Sequence, residues 1–149
     1  PSMNVGAGTV CNCEDLEKAI NAGAKFVFSP GISQELITCA RKNNIILIPG
    51  VSTASEVMLA QNNDIFNCKL FPATLSGGVD ILKAFSGPFS KMKFCPTGGV
   101  NLNNMNAFLS LENVLCIGGT WIVPKDAMKE KDFKKITKLT RESLDKINI

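Results

Sequence analysis

Lys69 lies in Asn67-Cys68-Lys69-Leu70-Phe71-Pro72-Ala73, a short apolar run closed by a proline. On a buried strand this side chain points inward, where desolvation disfavours the ammonium form and lowers its pKa. A lysine that is a free amine near neutral pH can attack a carbonyl and form a Schiff base. The same position also suits a lysine that snorkels out at a strand edge. Phe71, two residues on, shares the Lys69 face of a strand and shields the amine from water. Two Gly-Gly pairs follow, in Thr97-Gly98-Gly99 and Gly118-Gly119-Thr120. Glycine lets backbone N–H groups approach an anion closely, and a following helix N-terminus adds its dipole. Thr97 and Thr120 supply flanking hydroxyls. Plain turns are the alternative reading of these glycines. An amine nucleophile beside a phosphate or carboxylate site suits a phosphorylated keto substrate. The imine would be the electron sink for breaking the adjacent carbon–carbon bond.

Composition removes competing chemistries. Histidine is absent, so there is no Ser-His-Asp triad, histidine-ligated metal or imidazole base. Acid–base work falls to carboxylate, lysine, hydroxyl or water. The 149 residues fit one domain, at 45% hydrophobic and 19% charged. The net charge of +3 is mild, and the lysines between Lys125 and Lys138 alternate with Asp126, Glu130 and Asp132. That reads as a solvated helix face, not a nucleic-acid footprint. No membrane span or signal peptide is visible. Six cysteines occur. Cys68, Cys95 and Cys116 fall in apolar strand-like runs, where cysteine behaves as a small hydrophobe. Cys11-Asn12-Cys13 is too tight for a zinc knuckle and has no second pair. Reduced thiols and a cytoplasmic location are expected.

These residues need elements to position them, and one pattern recurs. A short apolar run meets Pro-Gly or Gly-Gly and is followed by a helical stretch. The runs are Val5–Thr9, Phe26–Gly31, Ile45–Gly50, Cys68–Ala73, Lys93–Gly99 and Val114–Gly119. They recur every roughly 20–25 residues, the size of one βα unit. Near-continuous apolar character predicts parallel strands buried on both faces. Helices are predicted over 14–22, from a Ser33 cap, from a Thr53-Ala54-Ser55-Glu56 capping box, over 79–85, over 102–109 and over 132–147. The last should bury Phe133, Ile136, Leu139, Leu144 and Ile147. Six units suggest part of a parallel barrel, since a full (β/α)8 barrel averages about 250 residues. An open doubly wound sheet is the alternative. In either, chemistry belongs at the carboxyl ends of the strands.

At these residues the chain resembles the 2-keto-3-deoxy-6-phosphogluconate (KDPG) and 2-keto-4-hydroxyglutarate (KHG) aldolases, class I aldolases of the Entner–Doudoroff pathway. Val5-Gly6-Ala7-Gly8-Thr9-Val10 is similar to the family's third barrel strand. Ser29-Pro30-Gly31, Ile48-Pro49-Gly50-Val51-Ser52-Thr53 and Lys69-Leu70-Phe71-Pro72-Ala73 resemble the next three. Phe94-Cys95-Pro96-Thr97-Gly98-Gly99 and Leu115-Cys116-Ile117-Gly118-Gly119-Thr120-Trp121 resemble the last two, and Gly87-Pro88-Phe89 fits the approach to the seventh.

The resemblance implies a TIM (β/α)8 barrel, with this chain supplying about six βα units, the third to eighth strands. It also implies a lyase that cleaves KDPG to pyruvate and glyceraldehyde 3-phosphate without a cofactor. Lys69 would form the Schiff base. Thr9 would hold the pyruvate moiety with Thr97 nearby, and Pro30 and Phe71 would line the pocket. Gly98, Gly99, Gly118, Gly119 and Thr120 would bind phosphate, Thr120 standing where the family usually has serine. A homotrimer is implied, with no nucleic-acid or membrane partner. The family's first two strands, carrying its catalytic glutamate and a substrate-binding arginine, have no counterpart here. Residues 1–149 are therefore expected to be a single barrel domain incomplete at its N-terminus, preceded by ~60 residues at the average unit size. Rival readings are a non-catalytic phosphosugar-binding or assembly protein on the same barrel, and an isomerase or synthase on a related phosphate-binding barrel.

Overall fold

In the computed structural model, which describes residues 3–147, strands and helices alternate along the chain. The strands are β1 (Phe26–Phe28), β2 (Ile46–Ile48), β3 (Gly50–Val51), β4 (Asn67–Leu70) and β5 (Lys93–Pro96). The helices are α1 (Cys13–Asn21), α2 (Gln34–Lys42), α3 (Ala54–Asn62), α4 (Gly78–Ser86), α5 (Met105–Leu109), α6 (Lys125–Lys129) and α7 (Phe133–Asp145). All strand pairings are parallel: β1 with β2, β3 with β4, and β4 with β5. Two further segments join only through single bridges, Ala7 to Val27 at one edge, and Val114 to Phe94 and Gly118 to Thr97 at the other. Spatial order therefore follows sequence order throughout, without the reversal that defines a doubly wound sheet. The described residues form an open arc and close no barrel.

Pro49 interrupts the second run and hands the chain from one neighbour to the other. The Ile48 carbonyl accepts from Ser29 N–H at 3.3 Å, and the next carbonyl, of Pro49, accepts from Lys69 N–H at 2.8 Å. The helices start where side chains can cap them. Asn12 accepts from Asp15 N–H, Ser33 from Leu36 N–H, and Thr53 with Glu56 makes the expected capping box.

Burial departs from the expectation of strands covered on both faces. Val27, Leu47, Cys68, Leu70 and Phe94 are buried, while the alternate positions are not: Ile46 is 66% exposed. The helices cover one face only, so burial follows the period of two. The other face lines an open groove of about 480 Å³ that includes Ile46, Ile48, Asn67, Lys93, Cys95 and Cys116. Two apolar clusters lie under the helices. One gathers Val10, Leu16, Val27, Ile37 and Leu47; the larger gathers Val57, Leu70, Leu82, Phe94 and Met105, with Ile32 and Ile65 against both.

The C-terminal stretch differs most from its sequence pattern. The lysine-rich segment is two helices, broken where Lys131 takes φ 56°. Phe133 and Leu144 on α7 remain 61% and 62% exposed. The helix docks instead through Ser143, which is buried and accepts a 2.8 Å hydrogen bond from Trp121 Nε1. The predicted helix over 102–109 shortens to α5, because Asn101 and Asn104 spend their amides on the Gly99 carbonyl at 3.2 and 3.0 Å.

Candidate active site

Lys69 sits third on β4, half-buried, paired with Gly50 on one side and Cys95 on the other. Gly50 carries no side chain into this row, because a Cβ there would fall inside the Pro30 carbonyl. Pro30 thus packs against the row that holds the lysine. The Lys69 Nζ lies 4.0 Å from the centroid of the Phe71 ring, as two residues along one strand face require. Burial pulls the amine below the ordinary lysine value, and negative charge on the Cys95 thiol opposes that pull. The ring face favours the ammonium form too, so a lone pair on Nζ depends on desolvation.

No carboxylate contributes to the Lys69 shift. Glu56, at the start of the helix that leads into β4, is fully engaged. Its Oε2 accepts from Ser52 N–H at 2.7 Å, Thr53 N–H at 2.9 Å, Thr53 Oγ1 at 3.0 Å and Ser52 Oγ at 3.2 Å. Burial raises its pKa, but these four bonds outweigh burial and hold it below the usual value. Glu14 is paired with Lys18, and Asp15 accepts from the backbone of Asn12's turn at Cys11 N–H. None of these is placed as a base for the lysine.

The anion-site residues converge at the far end of β5. The Thr97–Gly118 bridge lays the two Gly-Gly loops side by side. Gly98 and Gly99 take φ +96° and +80°, a region that β-carbons disfavour. Among the described residues the N–H groups of Gly98, Gly99, Gly119 and Thr120 donate no hydrogen bond, which leaves four donors at the loop surface. Gly118 differs from the expectation: its N–H is spent on the Pro96 carbonyl at 2.8 Å. It matters through proximity instead, since a Cβ there would meet Thr97 Oγ1 at 2.5 Å. The helices that follow these loops begin only at Met105 and Lys125 and are five residues each, so no helix dipole supports the site as expected.

Thr9 lies across the arc at the edge segment. It is exposed and holds φ 60°, an outlier for a β-branched residue. The structure does not bring it into contact with Lys69. Two neighbours of the site were not singled out from sequence. Cys95 is the cross-strand partner of Lys69, and its Sγ lies 3.9 Å from Thr97 Oγ1. Thr74 packs against Gly99, and its hydroxyl donates to the Gly98 carbonyl at 3.3 Å. A cross-strand register is invisible to periodicity, and Thr74 lies in a turn with no motif of its own.

An inward amine on a parallel strand, beside a loop pair with free N–H donors, defines an α/β protein equipped for imine chemistry on an anionic carbonyl compound. The family profile of KDPG and KHG aldolases matches residues 1–139, and the chain belongs to that family. The KHG/KDPG aldolase of Escherichia coli K12 is 48% identical over 145 residues, which is 97% of this chain and 68% of that protein. The 2-dehydro-3-deoxy-phosphogluconate aldolase of Dickeya dadantii is 47% identical over 144 residues, 97% of this chain and 68% of the relative. Among solved structures, KDPG aldolase from Legionella pneumophila, with pyruvate captured as a covalent carbinolamine, superposes with a TM-score of 0.89 at 45% identity. The match covers 93% of this chain and 68% of that one. The chain thus spans about two thirds of the length of the relatives it matches.

Proposed function

We propose that this chain carries the Schiff-base half of a KDPG aldolase, which cleaves 2-keto-3-deoxy-6-phosphogluconate to pyruvate and glyceraldehyde 3-phosphate. The observation that carries the reading is the half-buried Lys69 amine, stacked on Phe71 and lowered in pKa by desolvation. The carbinolamine trapped in the Legionella relative, at 45% identity, supports it. The Lys69 Nζ adds to the keto carbon, and loss of water leaves the iminium ion. Breaking the bond between the α- and β-carbons sends its electron pair into that iminium, giving an enamine, while the β-carbon's hydroxyl loses its proton and becomes the aldehyde of glyceraldehyde 3-phosphate. Protonation and hydrolysis then release pyruvate and free the amine.

Thr97 and Thr9 hold the pyruvate moiety in this reading, and Pro30 and Phe71 shape the pocket. The N–H groups of Gly98, Gly99 and Gly119, with Thr120, hold the phosphate, while Gly118 lets the loops approach. The proton at the aldol hydroxyl is assigned to none of the described carboxylates, because Glu56 is engaged and no carboxylate acts on Lys69. That observation also favours a second reading, phosphosugar binding without turnover. We read residues 1–149 as one domain, an arc of a (β/α)8 barrel whose groove face is the barrel interior. The monotonic parallel order supports this. A homotrimer and a cytoplasmic location belong to the same reading, carried by the family resemblance and the free thiols.

Pyruvate with borohydride should add a stable mass to the peptide holding Lys69, and Lys69→Met should lose both the label and retro-aldol turnover, the latter by roughly three orders of magnitude. Trapping without turnover would select the binding reading. Label that persists in Lys69→Met would remove Lys69 from the chemistry.

A further inference from the structure

Cys95 and Cys116 stand together on neighbouring strand segments, between two bridges that are out of step by one residue. Phe94 pairs with Val114, twenty positions on, whereas Thr97 pairs with Gly118, twenty-one on. One extra residue therefore enters the sixth segment between the two bridges. The extra residue lies within positions 115–117, where Leu115 is 61% exposed and Cys116 is exposed as well. Cys95 and Cys116 lie between the same two bridges on neighbouring segments, and both line one groove. Both thiols are free. Parallel neighbours about 4.8 Å apart bring α-carbons within the span a disulfide needs.

We propose that Cys95 and Cys116 form a reversible oxidation site that responds to hydroperoxides and switches the neighbouring Lys69 centre off. The switching half rests on the Lys69 reading; the bond itself does not. Cys116 is the attacking thiol. The neighbouring Cys95 thiol draws it down to about 7, while Cys95 itself is pushed up by the pair and by burial. The Cys116 thiolate attacks one oxygen of hydrogen peroxide; the O–O bond breaks, hydroxide leaves and a sulfenic acid forms. The Cys95 sulfur then attacks the Cys116 sulfur. The S–S bond forms as the S–O bond breaks, and water leaves with the Cys95 proton. Two thiols and one peroxide become one disulfide and two waters. A thiol reductant reverses the change.

The consequence follows from the contacts of Cys95. Its sulfur lies 3.9 Å from the Thr97 hydroxyl, and the residue pairs with Lys69 across β4 and β5. Drawn into a disulfide, it turns towards Cys116, leaves Thr97 and shifts the position paired with Lys69 across the ladder. The residue assigned to pyruvate thus loses a partner, and the amine a fixed neighbour.

The test uses the whole chain, hydrogen peroxide and trypsin. Lys93 and Lys125 bracket a stretch with no internal lysine or arginine, so both cysteines fall in one peptide, residues 94–125. Mild peroxide should lower the mass of that peptide by two hydrogens, and dithiothreitol should restore it. Retro-aldol activity or, failing turnover, pyruvate uptake at Lys69 should fall roughly tenfold and recover in step. Cys116→Ser should keep its basal level and resist the peroxide loss. Added oxygen without loss of hydrogens, or a cross-link confined to Cys11, Cys13 and Cys39, overturns the site. A formed disulfide with unchanged Lys69 function overturns the switch, and leaves the Schiff-base reading to its own trapping experiment.

Discussion

On one side of β5 lies β4, paired over four consecutive positions from Asn67–Lys93 to Leu70–Pro96. On the other side the segment Val114–Gly118 touches β5 at two bridges only, out of step by one residue. The two halves of the chemistry are divided along this line. The amine belongs to the regular ladder, where Cys68 and Leu70 are buried to either side of Lys69 and fix its direction. The anion donors belong to the irregular side, where unpaired N–H groups are what an anion needs. Regular pairing would consume those donors, as Pro96 already consumes that of Gly118. In the proposed reading, rigidity is therefore concentrated where the imine bond would form, and unpaired backbone where the phosphate would dock.

The largest effect should come from breaking the ladder side. Gly50 faces Lys69, and a methyl there would run into the Pro30 backbone, which cannot swing away as a side chain would. Gly50→Ala should cost about 3 kcal/mol or more, read as a lower urea midpoint at unchanged slope. A loss under about 1 kcal/mol would mean that the Pro30 turn yields easily and that this side is less rigid than its pairing suggests.

On the loop side the same kind of change should spare the fold and harm recognition. Gly99 is exposed, and its Cβ would meet the Thr74 side chain, which belongs to the neighbouring turn and can shift with it, and not a backbone locked into the ladder. Its φ of +80° still makes a branched residue strained. Gly99→Val should raise KM for the phosphorylated keto-acid roughly tenfold or more, about 1.4 kcal/mol of binding. Pyruvate trapping at Lys69 should stay largely intact. Equal loss of both would show that the loop glycines hold the fold and not the phosphate.

How much of this was legible follows the same division. Lys69, Phe71 and the Thr53–Glu56 cap declare themselves because strand alternation and helix capping are local and periodic. The six segments could be read for the same reason. Cys116, expected as a small hydrophobe in a covered strand, is exposed, since one residue is inserted between the bridges to β5 and register between segments twenty residues apart leaves no trace in either one. The pairing of Cys95 with Lys69 is hidden in the same way. The exposed face of α7 was missed because Phe133 and Leu144 keep helical spacing whether or not anything covers them. The break at Lys131 was missed because a lysine at φ 56° is the exception to its own propensity. The short α5 needed the Asn101 and Asn104 bonds to Gly99, which compete with helix for the same backbone.

The smallest expected effect sharpens the ladder side from its helix. Glu56 Oε2 ties Ser52 and Thr53, which leave β3 directly after the Gly50–Val51 pair with β4. Its carboxyl sits below the ordinary 4.5 because hydrogen bonds to the charged form outweigh burial. A group whose folded pKa is depressed adds stability above its unfolded pKa and loses it as pH falls through the folded value. The contribution of Glu56 is thus complete at neutral pH and fades below about pH 4.5. Glu56→Gln keeps the shape but weakens the acceptor, and should cost about 1 kcal/mol at pH 7, the low end for bonds to a charged group because the site is partly solvated. The difference between wild type and variant should shrink towards zero as pH drops past that window. Retro-aldol turnover, corrected for folded fraction, should be unchanged, since the carboxylate is spent on the cap. A variant that keeps its stability but loses turnover would make Glu56 the missing base, and would move part of the chemistry off the strands and onto the first turn of α3.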